Sequence, residues 1–317
     1  MTGCYYYGKR VAVTGAAGFI GSHLVDALVR MGAEVVGLDN LQSGTVDNLR
    51  QSRSQMRFHQ ADVRDFDALR DLITGSEIVF HLAGNALVPF SVEDPVYDFE
   101  SNVLGTYHVL KLLREKVIGR VVFSSSAAVY GIPRYTPVDE SHVLEPISPY
   151  GSSKLAAERL GVGWARTYEL EFVVVRIYNT YGPRQRKYVM YDLLNKLHND
   201  PHRVEVLGDG SQARDYSYVS DTVQALLLVG QKGNSGEAYN IAGGRPIRIA
   251  DLLALLIRVM DLDGVEVSYT HSSWTGDVPV MIANIDRLRA MGFAPQIGLE
   301  DGLLALRDWM DREIWRC

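Results

Sequence analysis

The sequence predicts an α/β protein whose main domain is a doubly wound parallel sheet, accompanied by a smaller C-terminal lobe. From Lys9 onward, short apolar runs alternate with helix-like stretches. Strands that are apolar throughout are typical of parallel sheets covered by helices on both faces. A glycine-rich turn follows the first run, where a helix is expected to begin. After Tyr178 the alternation stops and loop-forming residues become frequent, which marks the expected start of the second lobe.

The strands of the main sheet are predicted from runs in which β-branched and other apolar residues dominate. Six such runs lie at residues 10–14, 34–38, 56–60, 77–83, 120–125 and 171–177. Residues 222–230 and 238–244 then predict one further helix and one further strand of the same sheet.

The second lobe is predicted from the segments that follow Tyr178. Glycine, proline and charged residues at 181–188 and 207–216 indicate loops on either side of a helix near 190–198. Three helical patterns follow Arg245. We therefore expect a main domain formed by residues 1–177 and 219–244, and a smaller lobe formed by residues 178–218 and 245–317.

Composition excludes several classes of protein. Of 317 residues, 47% are hydrophobic and 22% are charged, which is ordinary for a water-soluble globular chain. The formal net charge of −6 argues against nucleic-acid binding, because phosphate neutralisation needs clustered Lys and Arg. Cys4 and Cys317 stand at opposite ends and provide neither a disulfide framework nor a metal site. No apolar run is long enough for a signal peptide or a membrane span, so we expect a cytoplasmic protein without a membrane partner.

The glycine turn and the acidic end of the second strand predict a dinucleotide site of the Rossmann type. Gly15, Gly18 and Gly21 stand three residues apart between the first strand and the first helix. There, glycine allows a tight turn and close approach of a pyrophosphate to the amides at the helix N-terminus. Asp39, 18 residues after Gly21, is placed to accept bonds from the adenosine ribose and to repel a 2′-phosphate, which favours NAD over NADP.

Simpler explanations of these residues stay open at this point. The glycines also fit a turn kept for packing, and Asp39 also fits a helix cap or a turn. Asp62 follows the third strand and could bond the adenine amino group, although turn chemistry explains it equally well.

A tyrosine and a lysine stand four residues apart in SPYGSSKLAAE (148–158), where an amphipathic helix is predicted to start. Residues at i and i+4 share a helix face, so Tyr150 and Lys154 would lie side by side. A nearby ammonium favours phenolate over phenol, which would lower the pKa of the tyrosine and let it act as a base. The spacing alone also fits an ordinary surface pair.

Five segments in their order resemble the extended short-chain dehydrogenase/reductase family: the glycine turn, HLAG (81–84), NVLGT (102–106), SSSAAVYG (124–131) and the Tyr150/Lys154 pair. The resemblance covers nearly the whole chain and is greatest to UDP-glucose 4-epimerases and related nucleotide-sugar epimerases. It implies that NAD is the cofactor and that Tyr150 is the catalytic base. It also implies that Lys154 activates Tyr150 and holds the nicotinamide ribose.

The resemblance extends to residues at the strand ends. Ser126 matches the catalytic Ser/Thr, which hydrogen-bonds the sugar oxygen at the reacting carbon. Asn102 matches an asparagine that fixes the helix beneath Tyr150. The implied cofactor site comprises Gly15, Gly18, Phe19, Ile20, Gly21, Asp39, Asn40, Asp62, Val63, Leu82, Ala83, Gly84, Asn102, Ser124, Tyr150, Lys154 and Tyr178.

One departure narrows the implied reaction. The related 4,6-dehydratases carry an Asp-Glu pair after the catalytic Ser/Thr, and this chain has Ala127 and Ala128 there. UDP-glucuronate decarboxylases typically carry a glutamate at the position of Ala128. A methyl group cannot transfer a proton, so we expect a 4-epimerase that removes a hydride from C4 of a UDP-sugar and returns it to the other face. A nucleotide-sugar 4-ketoreductase or dehydrogenase, a UDP-hexuronate epimerase and a non-catalytic NAD-sensing scaffold stay as alternatives.

Residues for the sugar nucleotide are implied by resemblance in the C-terminal half. Asn179 and Arg214 match residues that contact the diphosphate, and Asp277 matches an aspartate that meets the nucleotide ribose. Met281 stands where the 4-epimerases carry a gate beside the C2 substituent of the sugar, although it also fits a core position. Methionine is flexible, so we expect both UDP-glucose and UDP-GlcNAc to be accepted.

Two further expectations depend on the resemblance alone. Trp274 replaces an arginine that many family members carry, so the charge it would supply is expected from Arg184, Arg186 or Lys187 instead. Helices near 95–114 and 150–168 are expected to form a homodimer interface.

Overall fold

The main sheet has the parallel, doubly wound architecture that the sequence predicts. The computed structural model describes residues 3–272 and 278–316. Within them, seven parallel strands lie in the order β10 (Ala238–Ile241), β6 (Phe172–Ile177), β5 (Arg120–Ser126), β4 (Ile78–His81), β1 (Arg10–Thr14), β2 (Glu34–Asp39) and β3 (Arg57–Gln60). The direction of winding changes between β1 and β4, and ligands bind at such switch points, beyond the carboxyl ends of the strands.

The helices of the main domain cover both faces of this sheet. They are α2 (Phe19–Arg30), α3 (Phe66–Ile73), α4 (Val88–Glu93), α5 (Pro95–Phe99), α6 (Gly105–Arg114), α7 (Pro149–Tyr168) and α9 (Val219–Lys232), with a short α1 (Gly3–Tyr6) at the N-terminus. Val11 and Val13 pack on the side of α2 and α9, whereas Ala12 packs on the side of α3, α6 and α7. This alternation buries both faces of a strand and explains why its sequence is apolar throughout.

The remaining elements build the smaller sheets and the C-terminal helices. They are β7 (Asn179–Tyr181), α8 (Val189–Asn199), β8 (Arg203–Val206), β9 (Ala213–Tyr218), β11 (Pro246–Arg248), α10 (Ile249–Val259), β12 (Glu266–Tyr269), β13 (Val280–Met281), α11 (Asp286–Ala290) and α12 (Leu299–Met310). Leucines of α8, α10 and α12 form an apolar cluster of their own. Strand β9 pairs with β7, β11 and β13, which brings residues 179–181 and 280–281 together.

The predicted strands and helices are confirmed, with one informative difference. The run 77–83 was expected to be extended, but β4 ends at His81. The amides of Leu82 and Ala83 bond to the backbone and hydroxyl oxygens of Thr14, respectively, so the chain turns at the end of β1. This turn directs residues 82–84 along the carboxyl edge of the sheet.

Two absences apply to the described part of the chain. No helix in residues 3–272 and 278–316 is long and apolar enough to cross a bilayer. The same residues contain no group of three or more His, Cys, Asp or Glu side chains that could hold a metal ion.

Candidate active site

The glycine turn has a geometry that only glycine permits at two of its positions. Gly15 has a φ of +72°, and a Cβ added there would lie 2.9 Å from the Ala83 amide nitrogen. A Cβ on Gly21 would lie 2.0 Å from the Gly15 carbonyl oxygen. Helix α2 starts directly after Gly18, and no side chain caps its first amides. The turn therefore presents an uncapped helix N-terminus, which suits the diphosphate of a dinucleotide.

Asp39 lies at the end of β2 beside this turn. Its two carboxylate oxygens accept hydrogen bonds from the amides of Ala17 (3.0 Å) and Leu41 (2.8 Å). Burial raises the pKa of Asp39, and these amide bonds oppose the rise. The carboxylate is fixed next to the glycine turn, where a ribose of the cofactor would meet it.

Asp62, which was predicted to bond the adenine amino group, already accepts several hydrogen bonds from the protein. Its Oδ2 accepts from Asn40 Nδ2 (2.9 Å) and Arg64 Nη2 (3.0 Å), and its Oδ1 accepts from the amide and Nε of Arg64. Burial opposes ionisation of Asp62, but these bonds hold its pKa below its usual value. The group is an ionised acceptor whose oxygens are already shared with Asn40 and Arg64.

Tyr150 and Lys154 lie on the first turns of α7, as the spacing predicts. Ser148 caps this helix by accepting a bond from the Gly151 amide, and Pro149 occupies its first position. Lys154 is 4% exposed and its Nζ donates to the Ser124 carbonyl at 3.1 Å. Burial lowers the pKa of Lys154 to about 8, against the opposing effect of the Asp98 carboxylate.

The electrostatics at Tyr150 differ from the expectation that its pKa is lowered. Burial raises the pKa of the phenol, the hydrogen bond with Ser126 lowers it, and Asp98 raises it. Desolvation penalises the phenolate more than the protein's own dipoles compensate. The sequence predicted that Lys154 lowers the pKa of Tyr150. For the protein's own groups, without the cofactor, this prediction is wrong.

Ser126 is the last residue of β5, opposite Tyr150. Its hydroxyl accepts a bond from the Ala128 amide at 3.2 Å and is hydrogen-bonded to the Tyr150 phenol. The end of β5 thus places a hydroxyl group beside the phenol, as the site prediction requires.

A single cleft of about 760 Å³ gathers most of the predicted site residues. Its walls include Gly15, Gly18, Phe19, Ile20, Gly21, Asp39, Asn40, Asp62, Val63, Leu82, Ala83, Gly84, Ser124, Ser126, Tyr150, Lys154, Tyr178, Asn179, Arg214 and Met281. The site residues that were predicted from both halves of the chain therefore face one space.

Two predicted site residues are not among those walls. Asn102 is 1% exposed and lies behind the cleft, where its Nδ2 donates to Asp98 (3.0 Å) and Ser153 (3.0 Å). Its amide contacts Ser153 of α7, and both its helix-fixing role and its contact with the cofactor stay predictions. Asp277, like Trp274, lies outside the described residues.

Arg214 and Met281 are neighbours on the substrate side. They are paired across β9 and β13, and the Arg214 Nη1 donates to the carbonyls of Ala213 (3.0 Å) and Pro279 (2.9 Å). Met281 is 6% exposed and belongs to an apolar cluster while also forming part of the cleft wall. The position fits both the gate and the core explanation given for it above.

The loop at residues 182–188, from which Arg184, Arg186 or Lys187 was expected to supply the charge missing at Trp274, forms a wall of the cleft. Tyr188 has a φ of +75°, and its hydroxyl donates to the Ala86 carbonyl at 2.9 Å, which bridges two walls of the cleft. Arg184 forms an ion pair with Asp26 of α2 at 2.7 Å. Sequence reasoning missed these two contacts, because the long-range partners Ala86 and Asp26 leave no local pattern.

The acids that line the cleft are restricted to one end of it. Within residues 3–272 and 278–316, they are Asp39 and Asp62, at the ends of β2 and near β3. Ala127 and Ala128 line the wall next to Ser126. The described part of the cleft therefore has hydroxyl and ammonium groups near Tyr150, and no carboxyl group there.

Comparisons with known proteins agree on the family of this chain. The family model described as NAD dependent epimerase/dehydratase family matches residues 11–242. The UDP-glucose 4-epimerase of Mycolicibacterium smegmatis is 34% identical over 93% of this chain and 96% of its own. The crystal structure of a dTDP-glucose 4,6-dehydratase double mutant from Streptomyces venezuelae, with NAD bound, has a TM-score of 0.89 at 30% identity, covering 96% of this chain and 97% of that one.

A third similarity is to a structure solved with a UDP-sugar. The UDP-N-acetylglucosamine 4-epimerase from Methanobrevibacter ruminantium, in complex with UDP-N-acetylmuramic acid, has a TM-score of 0.91 at 31% identity. The match covers 97% of this chain and 100% of that chain.

Proposed function

We propose that this chain, which belongs to the NAD-dependent epimerase/dehydratase family, is a UDP-sugar 4-epimerase. Family membership makes it an enzyme with NAD as its cofactor, and its relatives include both epimerases and dehydratases. The choice between these reactions depends on the residues around Tyr150.

The observation that carries the proposal is the distribution of acids in the cleft. Elimination of water from a sugar needs a general acid and a general base beside the reacting carbons. Among the described cleft residues, the carboxylates are Asp39 and Asp62 at the cofactor end, while Ala127 and Ala128 follow Ser126. The groups near Tyr150 can move one proton, which is sufficient for reversible oxidation at C4 and insufficient for dehydration.

The residues present fit the cofactor. The turn at Gly15–Gly21 would hold the diphosphate, Asp39 the adenosine ribose, and Lys154 the nicotinamide ribose. When bound, NAD supplies reversible hydride acceptance at the C4 carbon of the sugar.

The chain's own groups provide the proton transfer and the positioning. Tyr150 takes the proton of the 4-hydroxyl on its phenolic oxygen, and the ammonium of Lys154 favours that ionised oxygen. Ser126 donates to the sugar oxygen as it becomes a ketone oxygen. After the keto sugar turns over in the cleft, Tyr150 returns the proton, so that the C4 epimer is formed without net use of cofactor.

The proposed substrate is a UDP-hexose bound by residues 178–218 and 245–317, which we propose as the substrate-binding lobe. Asn179 and Arg214 would contact the diphosphate, and Met281 would lie beside the C2 substituent. The flexible methionine supports turnover of both UDP-glucose and UDP-GlcNAc with their C4 epimers. We propose a cytoplasmic location on the composition argument above.

A UDP-hexuronate epimerase is the second candidate, favoured by Lys187. This lysine lines the cleft, burial lowers its pKa, and no carboxylate of the described residues forms an ion pair with it. Its Nζ lies 5.5 Å from the centre of the Tyr188 ring, and an ammonium without a carboxylate partner among the described residues would suit the C6 carboxylate of a hexuronate. It would equally suit the diphosphate, so a UDP-hexose stays the first proposal.

We further propose a homodimer formed through α5, α6 and α7. Val96 and Phe99 of α5 are 66% and 56% exposed, and Tyr107 of α6 is exposed beside Trp164 of α7. Exposed apolar side chains on adjacent helices are typical of a protein interface. Phe99→Glu, with the exposed Tyr7→Glu as a control, is expected to halve the mass in solution light scattering.

The experiment that tests the function is a substrate panel read by NMR of the products. UDP-glucose, UDP-GlcNAc, UDP-glucuronate and their C4 epimers are each incubated with the purified protein and NAD. Conversion to the C4 epimer without accumulation of free NADH supports the proposal. Stoichiometric NADH release would instead identify a dehydrogenase, and formation of a 4-keto-6-deoxy sugar would identify a dehydratase.

A further inference from the structure

A buried carboxylate lies behind the cleft without a basic partner. Asp98 is 1% exposed, and its Oδ1 accepts bonds from Asn85 Nδ2 (2.7 Å) and Asn102 Nδ2 (3.0 Å). Among the described residues, no Lys, Arg or His forms an ion pair with it. Burying a carboxylate is costly unless bonds or a counter-charge compensate, so its retention in this place needs a cause.

The hydrogen bonds of Asp98 connect two parts of the proposed active site. On one side, Asn85 is a cleft residue whose side chain also bonds the backbone of Leu87 in both directions. On the other side, Asn102 donates to Ser153 (3.0 Å), which donates to the Tyr150 carbonyl (3.0 Å). One carboxylate therefore ties the loop at 84–88 to the backbone of the catalytic tyrosine.

Asp98 lies near the catalytic groups through Asn102, to which it is bonded: a Cβ built on Gly84 would lie 2.3 Å from Asn102 Oδ1 and 3.1 Å from Lys154 Nζ. The negative field of Asp98 favours the protonated forms of Tyr150 and Lys154 and raises the pKa of each. Burial alone pulls the pKa of Lys154 down, and an uncharged lysine could not stabilise a phenolate. The carboxylate thus opposes the loss of the ammonium on which the mechanism depends.

Other charged or titratable groups surround α5, from the elements packed against it. They are Glu93 of α4, Asp94 at the start of α5, Tyr97 of α5, Glu100 with its partner Arg64, and Tyr150, Lys154 and Glu158 of α7, the last paired with Arg176. Among these described groups, Asp98 is the one whose charge affects both Tyr150 and Lys154.

We propose that Asp98 is a positioning residue of this site, which tethers the loop at 84–88 to α7 and serves as the buried counter-charge of Lys154. This inference depends on the proposed function, because it assigns Asp98 a role in the reaction of Tyr150. The tether acts through Asn85, Asn102 and Ser153, and the counter-charge acts through space.

The charge is tested with Asp98→Asn, whose amide oxygen can still accept both bonds. Loss of the negative charge lowers the pKa of both Tyr150 and Lys154, so both limbs of the pH profile of kcat are expected to move to lower pH by about one unit. Asp94→Asn is the matched control: it removes one charge from the start of the same helix and keeps the cap on the Tyr97 amide, so the limbs should stay in place.

A second readout does not need turnover. The ultraviolet titration of the Tyr150 phenolate, obtained as the difference between a protein and its Tyr150→Phe version, should shift to lower pH in Asp98→Asn by the same amount. The counter-charge role of Asp98 would be overturned if neither the limbs of the kcat profile nor the phenolate titration moved in Asp98→Asn. A loss of kcat that is the same at every pH would also overturn it. If the wild-type protein epimerises no sugar of the panel, the proposed function fails while this titration still tests Asp98.

The tether is tested with Asn85→Ala, which cuts the bond to the loop and leaves the charge. The variant removes the bond to Asp98 and the two bonds with the Leu87 backbone, so we expect KM to rise by at least about fivefold, with both pH limbs unchanged. An unchanged KM would overturn the tether. If Asp98→Asn does not fold, Asp98→Ser replaces it, and failure of both to fold would overturn the proposal by showing that the carboxylate serves the fold.

Discussion

Replacement of Tyr150 by phenylalanine removes one oxygen from the centre of the cleft and leaves the ring. The phenol is hydrogen-bonded to Ser126, so its loss costs about 1 kcal/mol of folding stability, and the buried ring keeps its packing. Loss of a general base costs about 100- to 10,000-fold in turnover, which corresponds to about 2.7 to 5.4 kcal/mol in the barrier. The kinetic effect should therefore greatly exceed the structural one.

The assay is a kcat measurement on the best substrate of the panel, together with NAD binding by calorimetry. Tyr188→Phe is the matched control, because it removes the phenol that bonds the Ala86 carbonyl at another position of the same cleft. One hydrogen bond of about 1 kcal/mol predicts a change of about fivefold in the control. Turnover of Tyr150→Phe within about threefold of wild type, with NAD still bound, would refute the assignment of the base.

Three further predictions concern the cofactor, the substrate and stability. Asp39→Asn should bind NADP measurably better than wild type, and recovery of mainly NADP from denatured wild-type protein would contradict the role given to Asp39. Met281→Tyr should suppress turnover of UDP-GlcNAc more than of UDP-glucose, whereas equal losses would indicate damaged packing. Burial raises the pKa of Asp215 to about 6, so its contribution to stability is present below its unfolded pKa of about 3.9 and is lost as pH rises through 6. Relative to wild type, Asp215→Asn should therefore gain about 2 kcal/mol in unfolding free energy between pH 4 and 7, and a difference between the two urea midpoints that is the same at both pH values would contradict this.

The fold was predictable because its information is local. The inner strands of the parallel sheet are apolar on both faces, as Val11, Ala12 and Val13 of β1 show, and the Gly15–Gly21 turn follows β1 directly. The Tyr150/Lys154 pair was equally readable, because four residues make one helical turn and Ser148 caps the helix just before it.

The electrostatics of the site were not predictable in the same way. Desolvation of Tyr150 depends on everything packed around it, so the spacing to Lys154 could not give the direction of its pKa. The roles of Asn85 and Asp98 also depend on contacts that join distant segments. The pKa of Tyr150 and the contacts of Asn85 and Asp98 are set by residues that are distant in sequence, and no short sequence pattern indicates them.

Under the proposed function, the loop at residues 182–188 links the cofactor end of the cleft to its sugar end. Arg184 ties it to Asp26 on the helix that begins at the glycine turn, and Tyr188 ties it to Ala86 beside the reacting sugar. Any binding event that strengthens or strains one tie changes the free energy of the other. Reciprocity then requires that NAD alter the affinity for the UDP-sugar by the same factor by which the UDP-sugar alters the affinity for NAD. Under the proposed function, the substrate would then help to determine how long the cofactor is retained through a catalytic cycle.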